Sequence, residues 1–158
     1  MTKTPRRPRF VVNFSPKGGC VKALTDAFDR AKHQIRVAIY EFNQPLLRDA
    51  LLRAKQRGVD VGVLADKRVN LGNPHSACLL LAKSGVTVLL DTKHRIMHNK
   101  YAVIDGKIVL TGSFNYTTEA EHEHAENLIE FHNGSLAGSY LANWALLAGN
   151  SMPMPMPV

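Results

Sequence analysis

The sequence has few cysteines and no long apolar run, and both absences narrow the class of protein. Two cysteines, Cys20 and Cys78, among 158 residues do not make the disulfide framework of a small secreted domain. Apolar or small residues flank both, so we expect buried thiols that pack as small hydrophobic side chains. No apolar stretch reaches the length of about 18 residues that a membrane-spanning helix needs, so stable membrane insertion is not expected.

Acidic residues are also in short supply. Twenty Lys and Arg stand against 13 Asp and Glu, which leaves a net charge of +7. This balance favours polyanionic partners such as nucleic acid or an acidic lipid surface, although spare lysines that only aid solubility remain the alternative. Residues 1–9 carry charge without an apolar stretch, so the sequence as written predicts a cytoplasmic protein. A processed or engineered N-terminus would instead allow a periplasmic or secreted one.

The length of 158 residues predicts one domain, and 45% apolar with 21% charged residues is typical of a soluble globular protein. We divide the chain into three parts. Residues 1–8 form a basic flexible arm, residues 9–149 form the folded domain, and residues 150–158 form a Met/Pro-rich tail. The prolines of that tail exclude a helix, so we expect it to be disordered.

Strand-like and helix-like patterns alternate along the domain. Strands are predicted at 9–14, 35–42, 59–65, 86–90 and 127–132, a hairpin at 95–111, and helices at 20–33, 45–57, 74–84 and 135–148. A polar, basic loop is predicted at 66–73. Two helix–Gly–strand units follow one another, which predicts a single-domain α/β fold with a mixed, largely parallel sheet flanked by helices.

A set of chemically capable side chains lies between apolar neighbours at 98–115. His98 and Lys100 are two residues apart, and so are Ser113 and Asn115. Residues two apart on a strand share one face of the sheet. Together they offer a nucleophile, a positive charge and neutral hydrogen-bond donors, the groups needed to attack a phosphodiester.

The dipeptide Asp105-Gly106 between the two pairs is a strong hairpin signal. A two-residue loop at 105–106 or at 106–107 places all four side chains on one face, whereas a three-residue loop with a bulge would break this parity. Asp105 itself has the opposite parity and sits at the turn. We therefore interpret it as a structural turn residue or a salt-bridge partner.

Glu126 precedes the apolar strand at 127–132 and is able to accept a hydrogen bond from an imidazole. Such a contact fixes the ring tautomer and stabilises its cation. The alternative is a solvated glutamate at the end of a strand.

The spacing His98-x-Lys-x4-Asp-x6-Gly-Ser-x-Asn resembles the signature of the phospholipase D superfamily, and every signature position is matched. Phe14-Ser-Pro, the stretch from Arg57 to Val61 and Ala-Glu126-Asn extend the likeness over residues 10–148. In these features the chain resembles the small single-motif bacterial endonucleases of that superfamily.

The resemblance implies a role for each matched residue. It implies that His98 is the nucleophile that forms a covalent phosphohistidine, and that Lys100 and Asn115 are phosphate ligands. The same resemblance implies that Ser113 supports the histidine or the phosphate oxygens. It implies that Glu126 is the acid that holds the second imidazole nitrogen and that Asp105 is a supporting aspartate.

One histidine cannot serve on both sides of phosphorus, because a nucleophile attacks one side while an acid protonates the leaving oxygen on the other. His33 and His75 lack the lysine and aspartate of a second motif. We therefore expect a symmetric homodimer with the active site at the interface. The scheme needs no metal and no cofactor, and we interpret Glu121-His-Glu-His124 as a solvated loop.

The leading hypothesis for the substrate is DNA, with RNA as a further possibility, cleaved by a metal-independent, nonspecific endonuclease. Lys67, Arg68, Lys93 and Arg95 are predicted to contact backbone phosphates. A phospholipase D or cardiolipin hydrolase with the same chemistry is the alternative. A non-catalytic nucleic-acid-binding protein is less favoured, because binding alone would not need His98.

Overall fold

The computed structural model describes residues 10–157, so the predicted arm at 1–8 lies outside the described residues. The helices are α1 (Cys20–Arg30), α2 (Pro45–Gln56), α3 (Lys67–Asn70), α4 (Cys78–Lys83), α5 (Thr118–His122) and α6 (Gly134–Ala148). The strands are β1 (Phe10–Ser15), β2 (Gln34–Ile39), β3 (Asp60–Asp66), β4 (Thr87–Asp91), β5 (Lys100–Ile104), β6 (Ile108–Gly112), β7 (Glu126–His132) and β8 (Ser151–Pro153).

The described strands form one eight-stranded sheet in the order β1-β7-β6-β5-β2-β3-β4-β8. The predicted single-domain α/β fold with a mixed sheet flanked by helices is confirmed. Its parallel share is smaller than expected, because β2, β3 and β4 pair in parallel and the other described pairings are antiparallel. The helix–Gly–strand units supply the long crossovers that parallel pairing needs. The connection within 100–112 is a tight turn, which permits antiparallel pairing alone.

Apolar side chains cover both faces of this sheet. On one face α1, α2 and α4 bury residues such as Phe28, Leu47 and Leu81 against the strands. On the other face α6 packs Ala137 and Leu147 over the sheet. Each large side chain buried in this way contributes roughly 1.5–3 kcal/mol to folding. The two layers hold the strands rigidly enough to position groups at their ends.

Both cysteines lie in the core, as predicted. Cys20 and Cys78 are fully buried and form no disulfide. Burial raises the pKa of each thiol to about 11. Because the thiolate is the reactive form, both cysteines are chemically quiet packing residues at neutral pH.

The prediction of a disordered tail at 150–158 is wrong for its first half. β8 pairs antiparallel with β4, the Met154 amide donates to the Val88 carbonyl at 2.9 Å, and the Met154 side chain is buried. Pro153 occupies the alternate position, at which an edge strand donates no N–H to its neighbour, so its lack of an N–H costs nothing. The Met-Pro alternation is therefore compatible with an edge strand.

Three helical details also differ from the predictions. The helix expected at 74–84 forms only at Cys78–Lys83, the loop expected at 66–73 contains α3, and α5 was not predicted. Asp66 causes α3 to form, because its carboxylate accepts the amide hydrogens of Arg68 and Val69 at 2.8 and 3.2 Å. Among the described residues, no helix has both the length and the apolar character required to cross a membrane.

Candidate active site

The ends of three neighbouring strands meet at one edge of the sheet. β5 begins at Lys100, β6 ends at Gly112 and β7 begins at Glu126, and antiparallel pairing brings these ends together. They line a cavity of about 420 Å³ whose walls are His98, Lys100, Gly112, Ser113, Asn115 and Glu126. The five residues predicted to be catalytic therefore share one cavity, and His98 is exposed within it.

The two-residue loop that would place all four side chains on one face does not form, because the hairpin loop has three residues. Ile104 pairs with Ile108, and this register leaves Ser113 out of phase with Lys100. The direction of the following side chains changes at Gly112, whose φ is 157° and whose backbone approaches β7 closely. A Cβ at Gly112 would lie 2.2 Å from the Asn127 carbonyl oxygen. Glycine alone permits this approach, which turns Ser113 into the cavity.

Asp105 lies at the far end of the hairpin, just past the end of β5 and about 17 Å from Lys100 by strand rise. Its carboxylate accepts the amide hydrogens of Lys32, His33 and Gln34 at 3.0, 2.8 and 2.9 Å. Burial, the largest single effect, raises the pKa of this carboxyl, but the three amide donors together outweigh it, so the pKa is lowered. These contacts place Asp105 at the turn and away from the cavity, and its supporting role stays a prediction.

Glu126 contacts Ser113 and not His98. One carboxylate oxygen accepts the Ser113 hydroxyl, and the other lies 3.9 Å from Nδ1 of His124. The Glu126 amide donates to the Ser15 hydroxyl at 3.1 Å, which ties β1 to this strand end. Within residues 10–157, no hydrogen bond joins Glu126 to the His98 ring. The expected contact is thus replaced by one to Ser113, because the close approach at Gly112 brings that hydroxyl to the carboxylate.

Lys100 is held among three groups. Its ammonium donates to the His98 carbonyl at 2.9 Å and lies 5.5 Å from the centre of the Tyr40 ring. Burial lowers the pKa of Lys100, and the negative charge of Glu126 partly opposes this shift. A partly desolvated ammonium attracts a phosphate oxygen more strongly than a fully hydrated one.

Tyr40 is a residue that the sequence analysis missed. It follows β2 directly, and its ring centre lies 4.7 Å from that of the His98 imidazole in an edge-to-face arrangement. The available signal was the pairing of β2 with β5, which places Ile39 opposite Lys100. That pairing joins strands far apart in sequence, and local patterns do not reveal it.

Asn115 has one unsatisfied atom. Its Oδ1 is buried and finds no hydrogen-bond partner among the described residues. An unpaired buried acceptor is costly, so its presence in a cavity wall indicates a position at which a ligand or a partner chain supplies a donor.

The four cations predicted to bind nucleic acid lie along the same edge. Lys67 and Arg68 belong to α3, which follows β3, and Lys93 and Arg95 belong to the loop that follows β4. The ends of β3 and β4 are adjacent in the sheet. The Arg68 guanidinium also donates to the Arg95 carbonyl at 3.5 Å. Within the described part of the chain, none of the four forms an ion pair with an acidic side chain.

Two buried aspartates at these strand ends hold the loop that leads to His98. Asp91 accepts the amide hydrogens of Lys93 and His94, each at 2.9 Å. Asp66 accepts the amide hydrogen of Met97 at 2.8 Å with one oxygen while its other oxygen caps α3. One carboxylate thus fixes both the basic helix and the residue that precedes His98.

The side chains of the Glu121–His124 segment are not arranged as a metal site. A Glu121 oxygen accepts the Val21 amide hydrogen at the start of α1, at 2.9 Å. In the part of the chain that the structure describes, no group of three or more His, Cys, Asp or Glu side chains is arranged to hold a metal ion.

Comparison with known proteins gives a consistent picture. The family described as "Cardiolipin synthase, PLD-like domain" matches residues 24–145. The "Phospholipase D" of Rickettsia felis is 40% identical over 131 residues, which is 83% of this chain and 65% of that protein. The "Mitochondrial cardiolipin hydrolase" of Xenopus laevis is 36% identical over 99 residues, which is 63% of this chain and 47% of that protein. The chain thus spans about two thirds or less of these relatives.

Two solved structures share the fold over nearly their whole length. Nuc from Salmonella typhimurium, a phospholipase D family member, superposes with a TM-score of 0.89 at 35% identity, covering 93% of this chain and 98% of that one. NucT from Helicobacter pylori superposes with a TM-score of 0.83 at 22% identity, covering 91% and 99%. The family match and the Rickettsia and Salmonella relatives lead to one conclusion: the chain belongs to the phospholipase D superfamily.

Proposed function

We propose that this chain is a metal-independent phosphodiesterase that cleaves DNA with little sequence preference through a covalent phosphohistidine on His98. The observation that carries the proposal is the cavity in which an exposed imidazole, a partly buried ammonium and neutral donors meet. Four cations without an acidic partner among residues 10–157 lie on the same edge of the sheet. RNA carries the same backbone phosphates and is included as a substrate class.

Each group has a task in this reaction. A His98 ring nitrogen attacks phosphorus and forms an N–P bond, while the bond from phosphorus to the leaving oxygen breaks. Lys100 and the Asn115 amide bind the non-bridging oxygens, on which negative charge accumulates. Water then attacks the phosphohistidine, which releases the phosphate product and restores the imidazole. Ser113 and Glu126, joined by a hydrogen bond, support the wall that faces the phosphate.

The leaving oxygen needs a proton, and the same His98 cannot supply it while it attacks. We propose that the His98 of a second subunit provides this proton and that the working enzyme is a symmetric homodimer with the cavity at its interface. Two observations support this arrangement: His98 is exposed, and the Asn115 acceptor is unsatisfied in the single chain. After cleavage, the second imidazole is the base that activates water.

Nucleic acid suits the surroundings of the cavity better than a single lipid headgroup does. Lys67, Arg68, Lys93 and Arg95 extend the positive surface beyond the space that one phosphate occupies. A polymer with a phosphate at every step makes use of all four, whereas one phosphodiester in a lipid does not. Backbone contacts of this kind carry affinity without sequence information.

A phospholipase activity is the second candidate, and two exposed apolar side chains favour it. Ile96 lies two residues before His98 and is 48% exposed, and Phe14 pairs with Asn127 beside Glu126 and is 64% exposed. Apolar groups at the mouth of a site are suited to a membrane surface. The names of the Rickettsia and Xenopus relatives agree with this candidate.

One experiment separates these functions. The protein is incubated with plasmid DNA, single-stranded DNA, RNA and cardiolipin vesicles, each in excess chelator, beside His98→Ala. We expect cleavage of nucleic acid that the variant lacks, with intact lipid. Lipid hydrolysis with intact nucleic acid would establish the phospholipase instead. Binding without cleavage of any substrate would establish a non-catalytic binding protein.

A further inference from the structure

One aromatic ring contacts both central side chains of the cavity. The Tyr40 ring centre lies 4.7 Å from the centre of the His98 imidazole, with the two planes 62° apart. The same ring centre lies 5.5 Å from the Lys100 ammonium nitrogen. Tyr40 is only partly buried, so it stands between the core and the open cavity.

The backbone of Tyr40 is held by a buried side chain. Its carbonyl accepts a hydrogen bond from the Asn70 side-chain amide at 2.8 Å, and Asn70 is 1% exposed. The same amide nitrogen reaches the Asp66 carbonyl, and its oxygen accepts the Ser76 hydroxyl at 2.9 Å. A buried and fully engaged amide moves little, so the strand end that carries Tyr40 is rigid.

The contacts have a direct physical effect on both partners. The negative face of an aromatic ring attracts an ammonium group, which keeps Lys100 in place although burial disfavours its charge. Edge-to-face packing restricts rotation of the imidazole. His98 is exposed and receives no hydrogen bond to its ring from the described residues, so packing against the Tyr40 ring restricts its orientation.

We propose that Tyr40 is a positioning residue, whose ring holds the His98 imidazole and the Lys100 ammonium at the separation at which both reach one phosphate. This inference rests on the proposed function for its effect on rate. Misplacement of a reacting group by about 1 Å costs up to about 100-fold in rate. We expect loss of the ring to lower kcat by about 10- to 100-fold and to leave KM within about threefold.

The test compares Tyr40→Phe, which keeps the ring, with Tyr40→Leu, which removes it. Phe should retain kcat, whereas Leu should lose it, with both variants matching the wild type in thermal unfolding. Tyr140→Leu is the matched control. Tyr140 is also a partly buried tyrosine, but it belongs to α6 and packs on Tyr101. If Tyr40→Leu does not fold, Tyr40→Met takes its place, since it keeps side-chain length without a ring.

A second readout does not depend on activity. The Tyr40 ring current should displace the NMR signals of the His98 ring protons in the free protein, in the wild type and in Tyr40→Phe but not in Tyr40→Leu. Equal kcat in all three proteins, or equal loss in Phe and Leu, would overturn the proposal. If the wild type cleaved no phosphodiester at all, the proposed function would fail, while identical His98 shifts in the three proteins would still overturn the contact itself.

Discussion

The two ends of the central sheet carry the same kinds of charged residue and use them differently. At the end that holds the cavity, Lys67, Arg68, Lys93 and Arg95 have no acidic partner among the described residues. At the opposite end three arginines are paired with acids. Asp29 pairs with Arg53 at 2.9 Å and with Arg57 at 3.8 Å, and Asp60 pairs with Arg36.

This difference shows where the net charge of +7 acts. Paired charges cancel at a distance, so these three arginines attract a polyanion less than cations without an acidic partner do. Unpaired cations beside the cavity keep their attraction for a phosphate backbone. The acids divide in the same way, because Asp66 and Asp91 hold the loop before His98 while Asp105 holds a turn. We therefore expect substitutions at the cavity end to change activity more than matched substitutions at the opposite end.

The largest effect is expected for His98→Ala. Loss of a nucleophile lowers kcat by about a million-fold where the catalytic groups act as a unit. The measurement is plasmid nicking in chelator, followed over hours at high enzyme concentration. His33→Ala is the control, because His33 is exposed at the opposite end of the sheet and should leave the rate unchanged. A residual rate within about 100-fold of the wild type would contradict the role given to His98.

Asp66→Asn should produce the next largest effect. Its Oδ2 accepts the Met97 amide hydrogen next to His98, and an amide nitrogen at that position cannot accept it. We expect kcat to fall about 10- to 100-fold through displacement of His98, and stability to fall by about 1–3 kcal/mol through the unsatisfied amide. Asp60→Asn, at the other end of β3 and exposed, should change neither by a comparable amount. Equal kcat in the two variants would show that Asp66 does not position His98.

Removing unpaired cations should weaken binding more modestly. For the double variant Lys93→Gln with Arg95→Gln we expect a Kd for DNA higher by about tenfold in moderate salt, and a slope of log K against log salt lower by about two. The matched control is Arg53→Gln with Arg57→Gln, which removes two cations that are already paired. The measurement is fluorescence anisotropy with labelled DNA over a salt series. Equal slopes in the two double variants would abolish the distinction between the ends of the sheet.

The smallest effect on activity is expected at Asp105, where stability should respond instead. Its pKa lies below the ordinary value of 3.8, because the amide donors outweigh the effect of burial. A lowered pKa means that the stabilisation is present above pH 3.8 and is lost as the pH falls through the lower folded-state value. Asp105→Asn should therefore lower Tm at pH 7 and approach the wild type in strong acid, with kcat unchanged. A Tm difference independent of pH would show that the charge of Asp105 is immaterial.

The local elements and the motif were predictable from sequence, while features set by tertiary contacts were not. Helices α1 and α2 follow their apolar periodicity, and the spacing from His98 to Asn115 predicted residues that line one cavity. The three-residue turn and the compensating approach of Gly112 to β7 depend on a strand more than a dozen residues later. The same holds for Tyr40, which reaches His98 only through the pairing of β2 with β5.

The tail is more ordered than its composition predicts. Its alternating prolines indicated disorder, yet the spacing leaves every second residue with an N–H, which suffices for an edge strand beside β4. Composition does not reveal such an edge unless the neighbouring strand is known. The homodimer and the substrate stay predictions, because the described chain contains one copy of the site.

Trapping experiments test whether His98 forms a covalent bond to phosphorus during turnover. The protein is mixed with a short DNA carrying one scissile phosphodiester and quenched under alkaline denaturing conditions, and its peptides are analysed by mass spectrometry. We expect a phosphoryl-nucleotide adduct on the peptide that contains His98, formed and lost at rates consistent with turnover. Turnover of DNA with no adduct on His98 at any time point, or with an adduct on another residue, would contradict it.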